Sequence, residues 1–182
     1  MRKVVLQMAI TLDGFVAGPD GEMDWLFSAS DEISKAYVDD LLNKSDHILI
    51  GRNMAPGFLD YWPKDESEFG AKINRLPKTI FSKTLDKVEW PDVTVAKDIA
   101  SEIARLKSEP GKNLILYGGA GLVQSFINLN MIDEYHLVVV PVILGKGLPL
   151  FANLKSSTKL KLIKTTTNSF GIVIFNYEPE RG

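Results

Sequence analysis

The sequence has no cysteine, which excludes disulfides, zinc–thiolate sites and thiol catalysis. It has only two histidines, His47 and His136, too few for a histidine-rich metal centre. No long apolar run is present. The longest, Leu137 to Leu144, is interrupted by Pro141 and falls far short of the roughly 20 residues that span a bilayer. No charge of one sign dominates either. Lys and Arg number 21 and Asp and Glu 23, for a net charge of -2. Nucleic acid and acidic membranes therefore gain no general attraction, and any anion site must be local. The N-terminus lacks the apolar stretch and small-residue cleavage site of a signal peptide. These absences lead us to expect a cytoplasmic protein with no metal, no membrane contact and no nucleic-acid partner.

Hydrophobic residues make up 45% of the 182, enough for one domain with a real core. No repeat, low-complexity tract or Ser/Gly-rich linker divides the chain, so a single domain over 1–182 is expected. Val4 to Ile10 reads as a buried strand, followed by a turn-rich loop from Thr11 to Gly21. Ile33, Tyr37 and Leu41 mark a helix over 31–43, which Ser28 or Ser30 can cap. A strand over 47–50 ends at Gly51-Arg52. A helix over 66–75 presents Phe69, Ile73 and Leu76, and Pro77 stops it. Short strands follow at 79–81 and 93–95. Asp98 caps the next helix, which Pro110-Gly111 ends. A strand over 113–117 runs into Gly118-Gly119-Ala120-Gly121 and a helix bearing Leu122, Val123, Phe126 and Ile127. A long strand over 134–143 and a hairpin over 159–177 close the chain.

Alternating strands and helices predict a mostly parallel sheet covered on both faces, with an antiparallel edge from the hairpin. Ligands of such sheets collect where parallel strands end. Four exits carry suggestive residues. Gly118 to Leu122 lets backbone approach a ligand and offers a helix N-terminus to phosphate, though it serves equally as a tight turn. It matches neither the Rossmann fingerprint, whose third glycine falls on Gln124, nor the phosphate loop. Gly51-Arg52 and Ser82-Lys83 place cations that can clamp a ribose phosphate; singly they are ordinary surface charges. Asp13 can bind a substrate nitrogen, position a proton or simply form an Asp-Gly turn. Trp25 can stack on a flat ring or cap the core. Both histidines read as structural.

These segments, in their order and spacing, resemble the dihydrofolate reductase superfamily. The similarity is greatest to the reductase domain of the bifunctional riboflavin-biosynthesis deaminase-reductase. It is carried by Thr11-Leu12-Asp13-Gly14, Ile50-Gly51-Arg52, Ile80-Phe81-Ser82-Lys83, Tyr117 to Leu122 and Pro141 to Phe151. The resemblance implies a three-layer dihydrofolate-reductase-like fold and an NADPH-dependent reductase of a small pyrimidine- or pteridine-like heterocycle. Arg52, Ser82 and Lys83, with Gly51, would hold the 2′-phosphate. Gly118, Gly119, Ala120, Gly121 and Leu122 would hold the pyrophosphate and nicotinamide side. The family often carries a cis bond between its paired glycines, here Gly118-Gly119. Asp13, as the catalytic group, and Trp25 would face the substrate. Met54 stands where the family commonly has Thr, and Ser30 where folate reductases carry a carboxylate, which favours the riboflavin-type branch. A dihydrofolate reductase and a non-catalytic nucleotide-binding protein are the alternatives. Apolar surface over Leu137 to Leu144 and the late hairpin leads us to expect a homodimer.

Overall fold

The computed structural model describes residues 1–27 and 32–180. Its strands are β1 (Val4–Thr11), β2 (Phe15–Ala17), β3 (Ser45–Gly51), β4 (Lys78–Phe81), β5 (Val93–Ala96), β6 (Asn113–Gly118), β7 (Glu134–Val140), β8 (Leu148–Pro149), β9 (Leu160–Thr167) and β10 (Val173–Pro179). Its helices are α1 (Asp24–Phe27), α2 (Glu32–Asn43), α3 (Ala55–Tyr61), α4 (Glu68–Arg75), α5 (Ile99–Ser108) and α6 (Ala120–Asn128). Eight strands form one sheet in the order β5-β4-β3-β6-β1-β7-β10-β9. The pairings from β5 across to β7 are parallel; those of β10 with β7 and with β9 are antiparallel. This is the mostly parallel sheet with an antiparallel C-terminal hairpin that the sequence predicts. β2 and β8 pair separately.

β1 is central and apolar toward both sides because helices cover both sides. Val4, Leu6 and Ile10 pack with Leu49, Leu114 and Leu116 beneath α5 and α6, which contribute Ile103, Leu106, Val123 and Phe126. Val5 faces the other way, with Ile48, Ile50, Ile80 and Ile115, beneath Leu41 and Leu42 of α2, Phe58 of α3 and Ile73 of α4. A third cluster, Trp25 with Val138, Val140, Ile172 and Ile174, covers the β7–β10 half of that second face. Tyr37 of α2 touches both clusters on the second face.

Local chemistry sets several ends. Ser67 accepts from the Gly70 amide and starts α4; Asp98 accepts from the Ser101 amide and starts α5. Lys78, almost wholly buried, donates to the carbonyls of Ile73 and Leu76 at 2.9 and 2.7 Å and closes α4.

Some expectations need correction. The strand expected over 134–143 stops at Val140, because Pro141 offers no amide to continue the ladder. Leu137 to Val140 are not an edge: β10 covers β7, and Leu137, Val138 and Val140 are buried. Ile33 is exposed rather than core-facing. The sequence reading missed α3. Its Pro56 and Gly57 read as punctuation, yet proline in a helix's first turn interrupts no hydrogen bond. The proposed caps Ser28 and Ser30 lie outside the described residues. Among the described residues, no helix is long and apolar enough to cross a membrane.

Candidate active site

The register of the parallel strands gathers their ends. Ile50 of β3 is level with Gly118 of β6, and Gly51 is level with Phe81 of β4. Gly118-Gly119 is a cis peptide, as the resemblance implies. Gly118 has φ +102°, a conformation that side chains disfavour. Gly51 lies against the same turn. A Cβ there would sit 3.3 Å from Leu122 Cβ and 3.5 Å from the Gly118 carbonyl oxygen, so glycine permits the close approach. Gly119 caps α6 with no side-chain bond, and its carbonyl accepts from the amides of Leu122 and Val123. Ala120 and Gly121 begin the helix, where amides have no intrahelical acceptor. The result is a backbone cradle at a helix N-terminus, which favours an anion.

Cations flank the cradle on its β4 side. The Arg52 amide donates to the Phe81 carbonyl at 3.2 Å, and its guanidinium donates to Thr84 Oγ1. Ser82 is buried, and its Oγ accepts from the amides of Thr84 and Leu85 at 3.3 and 2.9 Å. Its hydroxyl proton remains available to an acceptor. Lys83 is exposed and forms no ion pair among the described residues. Lys97, after β5, is held by Asp86 at 2.8 Å. Gly51, Arg52, Ser82, Lys83 and Gly118 to Leu122 thus share one end of three adjacent strands.

Asp13 lies on the other side of β6, after β1. Its carboxylate accepts from Thr11 Oγ1 at 2.6 Å and from the amides of Leu144 and Gly145 at 3.1 and 2.7 Å. The Thr11 hydroxyl, followed by these two amides, holds its pKa below the usual carboxylate value. The Leu12 amide donates to Val142, and the Leu150 amide to Gly14, so the loops after β1 and β7 are joined. Asp13 is the clasp of that joint. Trp25 is buried in the third apolar cluster, with Val142 and Leu144 of the joined loop nearby.

The sequence reading missed a polar row on the second face of the sheet. Gln7 of β1 pairs with His136 of β7, and His136 with Asn176 of β10. Leu6 pairs with Leu116, so Tyr117 of β6 follows at the level of Gln7. Side-chain alternation places all four on one face. His136 Nε2 lies 3.0 Å from Glu134 and Nδ1 lies 2.7 Å from the Tyr37 hydroxyl. A carboxylate only accepts, so in the neutral ring Nε2 donates to Glu134 and Tyr37 donates to Nδ1. The Tyr117 hydroxyl and Asn176 Oδ1 are enclosed and have no partner among the described residues. Burial pushes the Tyr117 phenol well above its ordinary pKa, keeping it protonated. A signal for the row was present: Gln7 occupies the inward position between Val5 and Ala9. His47, by contrast, bonds Thr79 at 2.9 Å, and burial lowers its pKa to about 4. An open groove of about 540 Å³ runs along β5 and α5, distant from β6 in strand order, and its lining includes Lys97 and Glu102.

Comparison with known proteins agrees with this fold. The RibD C-terminal domain model matches residues 2–174. The uncharacterized protein YyaP of Bacillus subtilis is 38% identical, over 97% of this chain and 94% of that protein. The riboflavin biosynthesis protein RibD of Corynebacterium ammoniagenes is 25% identical, over 85% of this chain and 48% of that protein. The crystal structure of a candidate riboflavin biosynthesis protein from Shewanella sp. PV-4 superposes with a TM-score of 0.83 at 26% identity, covering all of both chains. Residues, fold and similarity together show that this chain belongs to the RibD C-terminal domain family.

Proposed function

We propose that the chain is an NADPH-dependent reductase of a small pyrimidine- or pteridine-like heterocycle, similar to 5-amino-6-(5-phosphoribosylamino)uracil reductase. One observation carries this reading: the Gly118-Gly119 turn lies against Gly51, with Arg52 and Lys83 beside it. The residues fit NADPH. The glycine cradle and first amides of α6 suit a pyrophosphate, and Arg52, Ser82 and Lys83 suit the 2′-phosphate. NADPH supplies a hydride when bound, and the protein orients it and excludes water. Tyr117 and Gln7 border the cradle from the second face, where they can hold the substrate ring. In this reading Asp13 acts by fixing the loop at Leu144 and Gly145 beside the substrate.

The test is a fluorescence titration with NADPH and NADH. NADPH is expected to bind about tenfold or more tightly, roughly 1.4 kcal/mol, and Arg52→Ala with Lys83→Ala should erase the preference. Equal affinity of the wild type for both removes the clamp. Tight NADPH binding without turnover on any heterocycle favours the non-catalytic alternative.

We further propose a homodimer formed beside β9. This strand is the sheet's outer edge, and Leu162 and Ile163 on it are exposed, as is Phe170 in the hairpin turn. An uncovered edge with apolar residues is an association site. Light scattering at micromolar concentration should report twice the 20.2 kDa chain mass. A monomer there rejects the pairing.

A further inference from the structure

We infer that the substrate is a neutral heterocycle without a phosphate, recognised by hydrogen bonds from Tyr117 and Gln7. The inference rests on the reductase reading and names the substrate class of that same site.

The first observation is the pair of unmatched polar groups beside the cradle. The Tyr117 hydroxyl is enclosed and has no partner among the described residues. Leaving a buried hydroxyl unmatched costs about 1–3 kcal/mol. Tyr117 immediately precedes the Gly118-Gly119 turn, and its ring packs 6.0 Å from Phe58. Gln7, on the neighbouring strand at the same level, is buried, and none of the hydrogen bonds among the described residues involves its amide. A primary amide offers an acceptor and two donors side by side, which matches the C=O and N–H edge of a pyrimidine or pteridine ring. The next group in the row, His136, is already bonded at both nitrogens. Beyond His136, Asn176 Oδ1 also lacks a partner among the described residues, so the free hydrogen-bonding capacity along the row is that of a phenol and two amides, all uncharged.

The second observation is the distribution of charge. Cations at the strand exits lie on the β3–β5 side: Arg52, Lys83 and the paired Lys97. On the β1 side the described residues from Val4 to Ser34 include no Lys, Arg or His but five acids: Asp13, Asp20, Glu22, Asp24 and Glu32. Beyond it, Lys35 pairs with Glu32, and Lys72 of α4 with Asp39. Between Pro141 and Leu150 the sole cation is Lys146, which is exposed. A phosphate held here would face a net negative segment with no bidentate arginine to receive it. A neutral ring meets no such penalty.

The test uses matched pairs of pyrimidine and pterin nucleosides and their 5′-phosphates, titrated calorimetrically into the NADPH-loaded protein. In each pair that binds, the nucleoside should bind at least about tenfold more tightly. Tyr117→Phe should weaken the nucleoside about fivefold or more, leave NADPH affinity unchanged and leave the melting temperature unchanged or raised. A purely structural hydroxyl predicts no ligand effect. The inference is overturned by a 5′-phosphate that binds as tightly as its nucleoside or more tightly, and loss of that advantage in Lys146→Ala would assign the phosphate to that lysine. It is also overturned if no pair binds at all, or if Tyr117→Phe binds the nucleoside as well as wild type. Failure of NADPH itself to bind is a different result, which takes away the reductase reading and this inference with it.

Discussion

Gly118→Ala is expected to weaken NADPH binding about a hundredfold, roughly 2.7 kcal/mol, and to lower the melting temperature. Two effects add. An alanine Cβ would meet Met8 Cε at 2.7 Å, and the residue would be forced to keep φ +102° or to move the turn. Met8 Cε is the end of a flexible side chain and can rotate aside. The backbone conformation has no such release; such strain costs of order 1–3 kcal/mol. Relief by moving the turn would displace the carbonyl that now lies against Gly51. The double variant Met8→Ala with Gly118→Ala separates the two effects. It should recover little NADPH affinity, since it removes only the contact. Full recovery would show that the contact, and not the conformation, is what demands glycine. Gly121→Ala is the control for stability, because a Cβ there meets nothing within 4 Å and the backbone is ordinary.

Glu134→Gln is the second variant with a large expected effect, read as stability against pH. His136, and after it Lys3, hold the Glu134 carboxyl down to about 2, against an ordinary value of 4.5. Lys3 lies 2.6 Å away and also meets Glu178. A carboxyl whose folded pKa is depressed stabilises the fold above its unfolded pKa. That contribution is lost as the pH falls through the folded pKa. The wild type should therefore lose stability steeply from pH 4.5 to about 2. The variant should lie below it at neutral pH by at most about 3 kcal/mol, and the two should converge toward the acid end. Denaturant unfolding across that range measures the difference. A gap that stays constant with pH would mean that Glu134 acts by packing and not by its charge.

The same network shows why part of the candidate site was hidden in the sequence. Glu134 and His136 are two residues apart on one strand, which marks nothing by itself. Their partners Lys3 and Tyr37 come from distant segments. Tyr117 and Gln7 are 110 positions apart in the chain and become neighbours only because β6 and β1 pair in parallel. Sequence periodicity reports which face a side chain takes, and it is silent about which strands lie side by side. Strand exits were easier. Gly51-Arg52, Ser82-Lys83 and Gly118 to Gly121 each end an apolar run with a glycine or a cation, so each declares itself locally. That they meet at one end of the sheet follows from parallel pairing.

Asp13 illustrates the remaining gap. Its position after β1 was legible, and so was the choice between a turn residue and a site residue. Which amides its carboxylate receives depends on the loop after β7, more than 130 residues away. Trp25 is similar: its neighbours Val138, Val140 and Ile174 arrive from the last third of the chain. The amino-acid sequence by itself determined the absence of thiol chemistry, the order of the strands and helices other than α1, α3, β2 and β8, and the local chemistry of three exits, because composition, periodicity and turn preference act over a few residues. The tertiary structure alone decided the strand order, the clasp at Asp13 and the unmatched hydroxyl of Tyr117. Those arise when segments far apart bury their apolar faces together and carry their polar groups with them.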